Sequence, residues 1–171
     1  KGQRVLDLAC GNERHSLIFA SKGFNVLGVD LAVYLINEAR KKLNTDYRKY
    51  RKNLDFEIGD MRDISHKNEF DIVVNLFSSF GYFEKDSENF KVIKSISRSL
   101  KKGGYFFFDF LNADHLKKHI KLFDVSIRNH NVVMQVREIK GNAIYKSIII
   151  TRNNPKGKTP VVNRFNEMIK L

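Results

Sequence analysis

The sequence contains no tryptophan, one cysteine and no apolar run approaching the length of a membrane span. A single Cys10 excludes an internal disulfide and any zinc site built on a cysteine cluster, and it suits a reducing cytoplasm. Crossing a bilayer takes roughly 18–20 consecutive apolar residues, so no membrane partner is expected. No secretory-signal pattern opens the sequence either. Acidic residues are also scarce: 19 Asp+Glu face 31 Lys+Arg, for a net charge of +12. What is present is a core. At 42% hydrophobic over 171 residues, with 14 phenylalanines, the chain has enough apolar side chain to fold as one domain with a small extension, which excludes a mainly disordered state.

The positive charge is unevenly placed. Residues 1–114 carry 19 basic and 16 acidic side chains, a net of +3, whereas residues 115–171 carry 12 and 3, a net of +9. Hydrophobic periodicity changes at about the same point. Short apolar runs at 4–9, 25–29, 55–58, 70–77 and 105–110 read as strands buried in a parallel sheet. Between them, residues 14–21, 32–43 and 87–100 have the three-to-four spacing of amphipathic helices, the last closed by Lys101-Lys102-Gly103-Gly104. Strands alternating with helices predict an α/β fold: a doubly wound, mostly parallel, Rossmann-like sheet of five strands in the order 3-2-1-4-5. After Asn112, a short helix at 113–122 leads into β-rich segments at 125–127, 132–139, 143–151 and 161–171. The connectors Asn-His-Asn, Lys-Gly-Asn and Asn-Asn-Pro-Lys-Gly-Lys are turn-rich, so a small antiparallel β-meander is expected. Residues 1–112 thus form the core domain and 113–171 the extension.

In an open α/β sheet, ligands bind beyond the carboxyl ends of the strands, at the switch point. That edge carries Asp7-Leu8-Ala9-Cys10-Gly11-Asn12-Glu13 after the first strand, Asp30 after the second and Gly59-Asp60-Met61 after the third. Gly11 allows close backbone approach, the following helix offers free N–H groups, and Asp30, 19 residues later, suits ribose hydroxyls. Singly, each has a plainer reading: a turn glycine, a helix cap, a loop. Together they favour an adenosine-type ligand. A dinucleotide is disfavoured because the loop holds one glycine and places Glu13 where a phosphate would go.

The runs VLDLACGNERHS, VLGVDL, FEIGDMRDI, FDIVVNLFSSFGYFE and LKKGGYFFFDFLN resemble the class I S-adenosylmethionine-dependent methyltransferases over residues 4–112. GDMRD followed by FSSFGYF and a basic β-rich tail is similar to the small-molecule branch, nearest the nucleotide-linked aminosugar N-methyltransferases. The resemblance implies S-adenosyl-L-methionine as cofactor. Asp7 would brace the loop, and Ala9, Cys10 and Gly11 would receive the methionine portion. Asp30 would bind the ribose, with Leu31 against the adenine. Asp60 would reach the adenine amino group, Met61 would pack on the ring, and Asn75 and Leu76 would border the methionine end. The family usually has glycine at the positions of Ala9 and Glu13. Glu13 would either crowd the methionine carboxylate or point outward from the helix N-terminus.

The implied chemistry is direct in-line methyl transfer, with the reacting atoms held roughly 3–3.5 Å apart. An amine acceptor needs little base catalysis, whereas a hydroxyl needs a deprotonating group. Candidates at the mouth are His15, Tyr82, Asn112 and His115. Phe77 reads as packing, while Phe80 and Tyr82 could form an apolar or cation-accepting wall. No side-chain cluster has metal-ligand spacing, so no metal is expected. The preferred partner is a small-molecule substrate, amine before hydroxyl. The alternatives are an RNA methyltransferase using the basic tail, which lacks an interleaved aromatic platform, and a non-catalytic binding protein that kept the fold. The resemblance also implies helices before residue 1 and further strands after residue 171. The chain is therefore expected to be part of a longer protein with an open sheet edge and a possible homodimer contact.

Overall fold

The computed structural model describes residues 2–152 and 160–171. It divides into two units, Lys1–Phe80 with Lys85–Phe110, and Gly81–Glu84 with Leu111–Leu171.

In the first unit the chain runs β1 (Arg4–Leu8), α1 (Arg14–Ser21), β2 (Asn25–Asp30), α2 (Val33–Thr45), a single 3-10 turn (Arg48–Tyr50), β3 (Leu54–Ile58), β4 (Phe70–Asn75), α3 (Asp86–Ser99) and β5 (Leu100–Phe108). The strands are parallel in the order β3-β2-β1-β4-β5, as the sequence predicts. Right-handed crossovers then place α1 and α2 on one face and α3 on the other, because the strand order reverses at β1. Val5, Val26, Leu54 and Phe56 meet Ala20, Ile36, Ala39 and Leu43 of the two helices in one buried cluster. Gly28 is required there: a Cβ would stand 2.7 Å from the Phe56 ring and 2.9 Å from Cys10 Sγ. Leu6, Leu8 and Val73, which alternate to the other face, are equally buried.

Two boundaries differ from the periodicity. Lys101–Gly104 lie in β5 and do not close the helix, since Leu100 is already extended and Lys101 Nζ pairs with Asp71 Oδ1 at 2.8 Å. A register shift between Phe70 and Ile72 accommodates them. β4 stops at Asn75 instead of reaching Phe77, because Phe77 and Ser78 both take left-handed backbone, with φ of 58° and 57°.

The second unit comprises α4 (Ala113–His119) and an antiparallel sheet, β6 (Phe123–Arg128), β7 (Asn131–Lys140), β8 (Ala143–Arg152) and β9 (Val161–Lys170), paired in that order. Asn129 and His130 form the two-residue β6–β7 turn with positive φ at both positions, the conformation that matches strand twist. The connector Asn-Asn-Pro-Lys-Gly-Lys lies outside the described residues. Lys170 N–H donates to Gly81 O, tying 81–84 to β9. Among the described residues, Ala143 and Ile144 are the only buried hydrophobic side chains of this unit. No helix of the described residues is long and apolar enough to cross a membrane.

Candidate active site

The first unit gathers its strand-end residues by hydrogen bonds that the sequence order alone does not reveal. Asp30, closing β2, accepts from Gly11 N–H through Oδ2 and from Ala32 N–H through Oδ1, both at 2.8 Å. Its carbonyl accepts from Gly59 N–H at 3.0 Å, and Cys10 N–H donates to Val29 O at 3.1 Å. One residue therefore ties the loops after β1, β2 and β3. Gly11 has φ of 60° and nothing within 4 Å of where a Cβ would point, so its backbone faces open space. Leu31, which follows Asp30 in the chain, is 64% exposed.

Asp7 is buried and accepts from Ser16 Oγ at 2.6 Å. Burial pushes its carboxyl above the ordinary range, against the opposing effect of Ser16. It braces α1 against β1. Burial likewise drives the Cys10 thiol far above its usual pKa, so it is an inert packing group. Asn75 is fully buried and its Nδ2 donates to Leu8 O at 3.1 Å, clamping β4 to β1, while its Oδ1 has no partner. Leu76 packs against the α1–α2 core cluster.

Ala9 and Glu13, where the family pattern has glycine, both have left-handed backbone, with φ of 60° and 87°. The glycine preference is thus conformational, and these two side chains are carried at a cost. Glu13 does not point outward. Its side chain is 9% exposed, Oε1 pairs with Lys42 Nζ of α2 at 2.8 Å, and Oε2 is buried without a partner.

Asp60 is engaged by Arg62, which the sequence reading did not single out. Oδ1 accepts from Arg62 N–H and Nε, and Oδ2 from Nη2 and Nε. The Arg62 guanidinium holds the Asp60 carboxyl below its ordinary range. The available signal was the two-residue spacing in GDMRD, which suits an aspartate receiving the N–H two residues on.

Phe77 is not core packing. It is 62% exposed, with the Arg14 guanidinium 4.3 Å and the His15 ring 4.9 Å from its ring centre. Asp109, just past β5, fixes this turn. Its Oδ2 accepts from Phe77 N–H, its carbonyl from Ser78 N–H, and its own N–H donates to Asn75 O, each at 3.1 Å. Nothing in the sequence distinguished Asp109 from a strand-end loop residue.

Asp7, Ala9, Cys10, Gly11, His15, Asp30, Leu31, Asp60, Met61, Asn75 and Leu76 therefore all belong to the first unit, whereas Tyr82, Asn112 and His115 belong to the second. Asn112 caps α4, its side chain accepting from His115 N–H at 2.9 Å, and the His115 ring stacks on His119. No group of three potential metal ligands occurs among the described residues.

This sheet order, with a glycine loop after β1 and carboxylates ending β2 and following β3, is a fold shared with solved methyltransferase structures. Residues 5–104 match the model of the family described as "Methyltransferase domain", and the chain belongs to that family. It is 30% identical over 108 residues to the cypemycin N-terminal methyltransferase of a Streptomyces species, covering 63% of this chain and 42% of that protein. It is 31% identical over 100 residues to the dTDP-3-amino-3,4,6-trideoxy-alpha-D-glucopyranose N,N-dimethyltransferase of Streptomyces venezuelae, covering 58% and 39%. The chain spans about two fifths of the length of these curated relatives. Among solved structures, an S-adenosylmethionine-dependent methyltransferase from Clostridium acetobutylicum superposes with a TM-score of 0.79 at 20% identity, covering 98% of this chain and 66% of that one. Streptomyces venezuelae DesVI gives 0.74 at 26% identity, covering 100% and 70%.

The residues present fit S-adenosyl-L-methionine. Gly11 leaves open space at the loop, Asp30 is fixed at the strand end, and the partly exposed Lys42 holds the buried Glu13 carboxylate in an ion pair.

Proposed function

We propose that the protein of which this chain is part transfers a methyl group from S-adenosyl-L-methionine to the amine of a small molecule. The observation that carries the cofactor side is the Asp30 carboxylate, fixed by Gly11 and Ala32 N–H at the end of β2. Bound there, the cofactor supplies the activated methyl group. Asp30 receives the ribose hydroxyls, the Ala9–Gly11 backbone receives the methionine portion, and Leu31 and Met61 flank the adenine. Asn75 keeps the ends of β1 and β4 at fixed separation, so the positions of both partners are set before reaction. The likeness to the aminosugar N,N-dimethyltransferase supports an amine as acceptor, and an amine acceptor asks little of a general base. His15, beside Phe77 in the first unit, is the candidate for steering it.

Calorimetric titration with S-adenosylmethionine tests the first half. Binding to the unaltered chain is expected, with Asp30→Ala weaker by about tenfold or more, since it removes both the ribose acceptor and the tie between two loops. Equal affinities would refute the assignment. For the second half, nucleotide-linked amino sugars incubated with the whole protein and S-adenosylmethionine should gain the mass of one methyl substitution at nitrogen. Methylation of RNA instead would replace the small-molecule reading.

A further inference from the structure

A groove between α3 and the loop after β3 is lined almost wholly by cations. Arg62, Lys91, Lys94, Ser95 and Arg98 line this open groove of about 250 Å³. Residues 91, 94, 95 and 98 recur at helical spacing, so α3 presents one basic stripe to the loop that carries Asp60. Ser95 is buried and its Oγ accepts from Ile64 N–H at 2.8 Å, fixing the groove floor.

The four cations face three carboxylates. Arg62 is shared between Asp60 and Glu88, its Nη1 reaching Glu88 Oε2 at 2.8 Å, and Lys91 Nζ reaches Glu88 Oε1 at 2.7 Å. Arg98 Nη2 donates to Ile64 O at 2.6 Å and also pairs with Asp63, whose side chain is 84% exposed, so the second bond is readily exchanged. Among the described residues Lys94 pairs with no carboxylate; its ammonium lies 5.1 Å from the centre of the Phe90 ring. Four basic side chains border the groove, and a polyvalent anion that drew their charged ends inward would meet several charges at once.

We propose that this groove binds a diphosphate-type anion and that its occupancy tightens cofactor binding. The link is Arg62. In the structure its guanidinium occupies both oxygens of Asp60, the carboxylate assigned above to the adenine amino group, an assignment on which this coupling rests. A diphosphate held by Lys91, Lys94 and Arg98 draws Arg62 toward itself and returns acceptor capacity to Asp60. By linkage, the cofactor in turn tightens diphosphate binding by the same factor.

Inorganic pyrophosphate is the probe, titrated into the whole chain by calorimetry, with chloride of equal ionic strength as control. Binding is expected, and saturating pyrophosphate should raise S-adenosylmethionine affinity about fivefold or more. Lys94→Gln should weaken pyrophosphate binding by about tenfold while cofactor affinity without pyrophosphate stays unchanged, and adding Lys91→Gln should weaken pyrophosphate binding further. Absence of pyrophosphate binding, or binding indifferent to both substitutions, overturns the site. Binding that leaves cofactor affinity unmoved overturns the coupling. Pyrophosphate binding to a chain that takes no cofactor keeps the groove and removes the Asp60 assignment.

Discussion

At the scale of single residues, Glu13 combines three unfavourable features: left-handed backbone, burial, and a carboxylate oxygen with no partner. Set against them is one ion pair to the partly exposed Lys42. A left-handed conformation costs a non-glycine residue about 1 kcal/mol or more, and an exposed-end ion pair returns about the same or less. Glu13→Gly is therefore expected to stabilise the fold by about 1 kcal/mol relative to Glu13→Ala, which keeps the strain and also loses the pair. In thermal unfolding that difference is about 2–4 °C for a chain of this size. Equal melting temperatures for the two variants would show that the backbone at residue 13 relaxes without cost. The sequence exposed this residue because it breaks a glycine pattern. It could not reveal that the side chain turns toward Lys42, since that contact spans 29 positions and depends on how α1 and α2 pack.

At the scale of elements, the β3–β4 connection decides how firmly Asp60 is placed. It is pinned by His66, whose Nε2 and Nδ1 lie 3.1 Å from Glu57 of β3 and from Glu69, and Glu69 also pairs with Arg4 of β1. Partial burial opposes charge on the imidazole, but the two carboxylates outweigh it and raise its pKa above the ordinary 6.5. A raised folded-state pKa adds stability that is full below the unfolded value and fades as pH rises through the folded one. Glu69, held below its usual pKa by His66 first and Arg4 as well, is already charged across that window. The stability advantage of the native chain over His66→Gln in urea unfolding should thus be larger near pH 6 than near pH 9. An advantage independent of pH would mean that His66 acts by packing on Phe70 alone. Helices and buried strands were legible because alternating and three-to-four periodicities survive in the sequence. Strand ends were less so: hydrophobicity continues through Leu76 and Phe77, and only backbone geometry marks the turn that Asp109 holds. Arg62 and His66 were missed because ion pairs across a loop leave no period.

At the scale of the whole molecule, the net charge of +12 and the aromatic strand β5 belong together. β5 is an edge strand of its sheet among the described residues, and Tyr105, Phe107 and Phe108 along it are exposed. An exposed aromatic edge favours pairing with another copy, while like charge on every copy opposes approach. The repulsion reaches about 10 Å at 0.1 M salt and only about 3 Å at 1 M, whereas contact between aromatic edges is not screened. Light scattering of the isolated chain should accordingly rise with sodium chloride across that range, and Phe107→Lys should suppress the rise. Unchanged scattering would mean that the edge is not adhesive. If it is adhesive, the ionic strength of the surrounding medium sets how concentrated this chain can become before it precipitates.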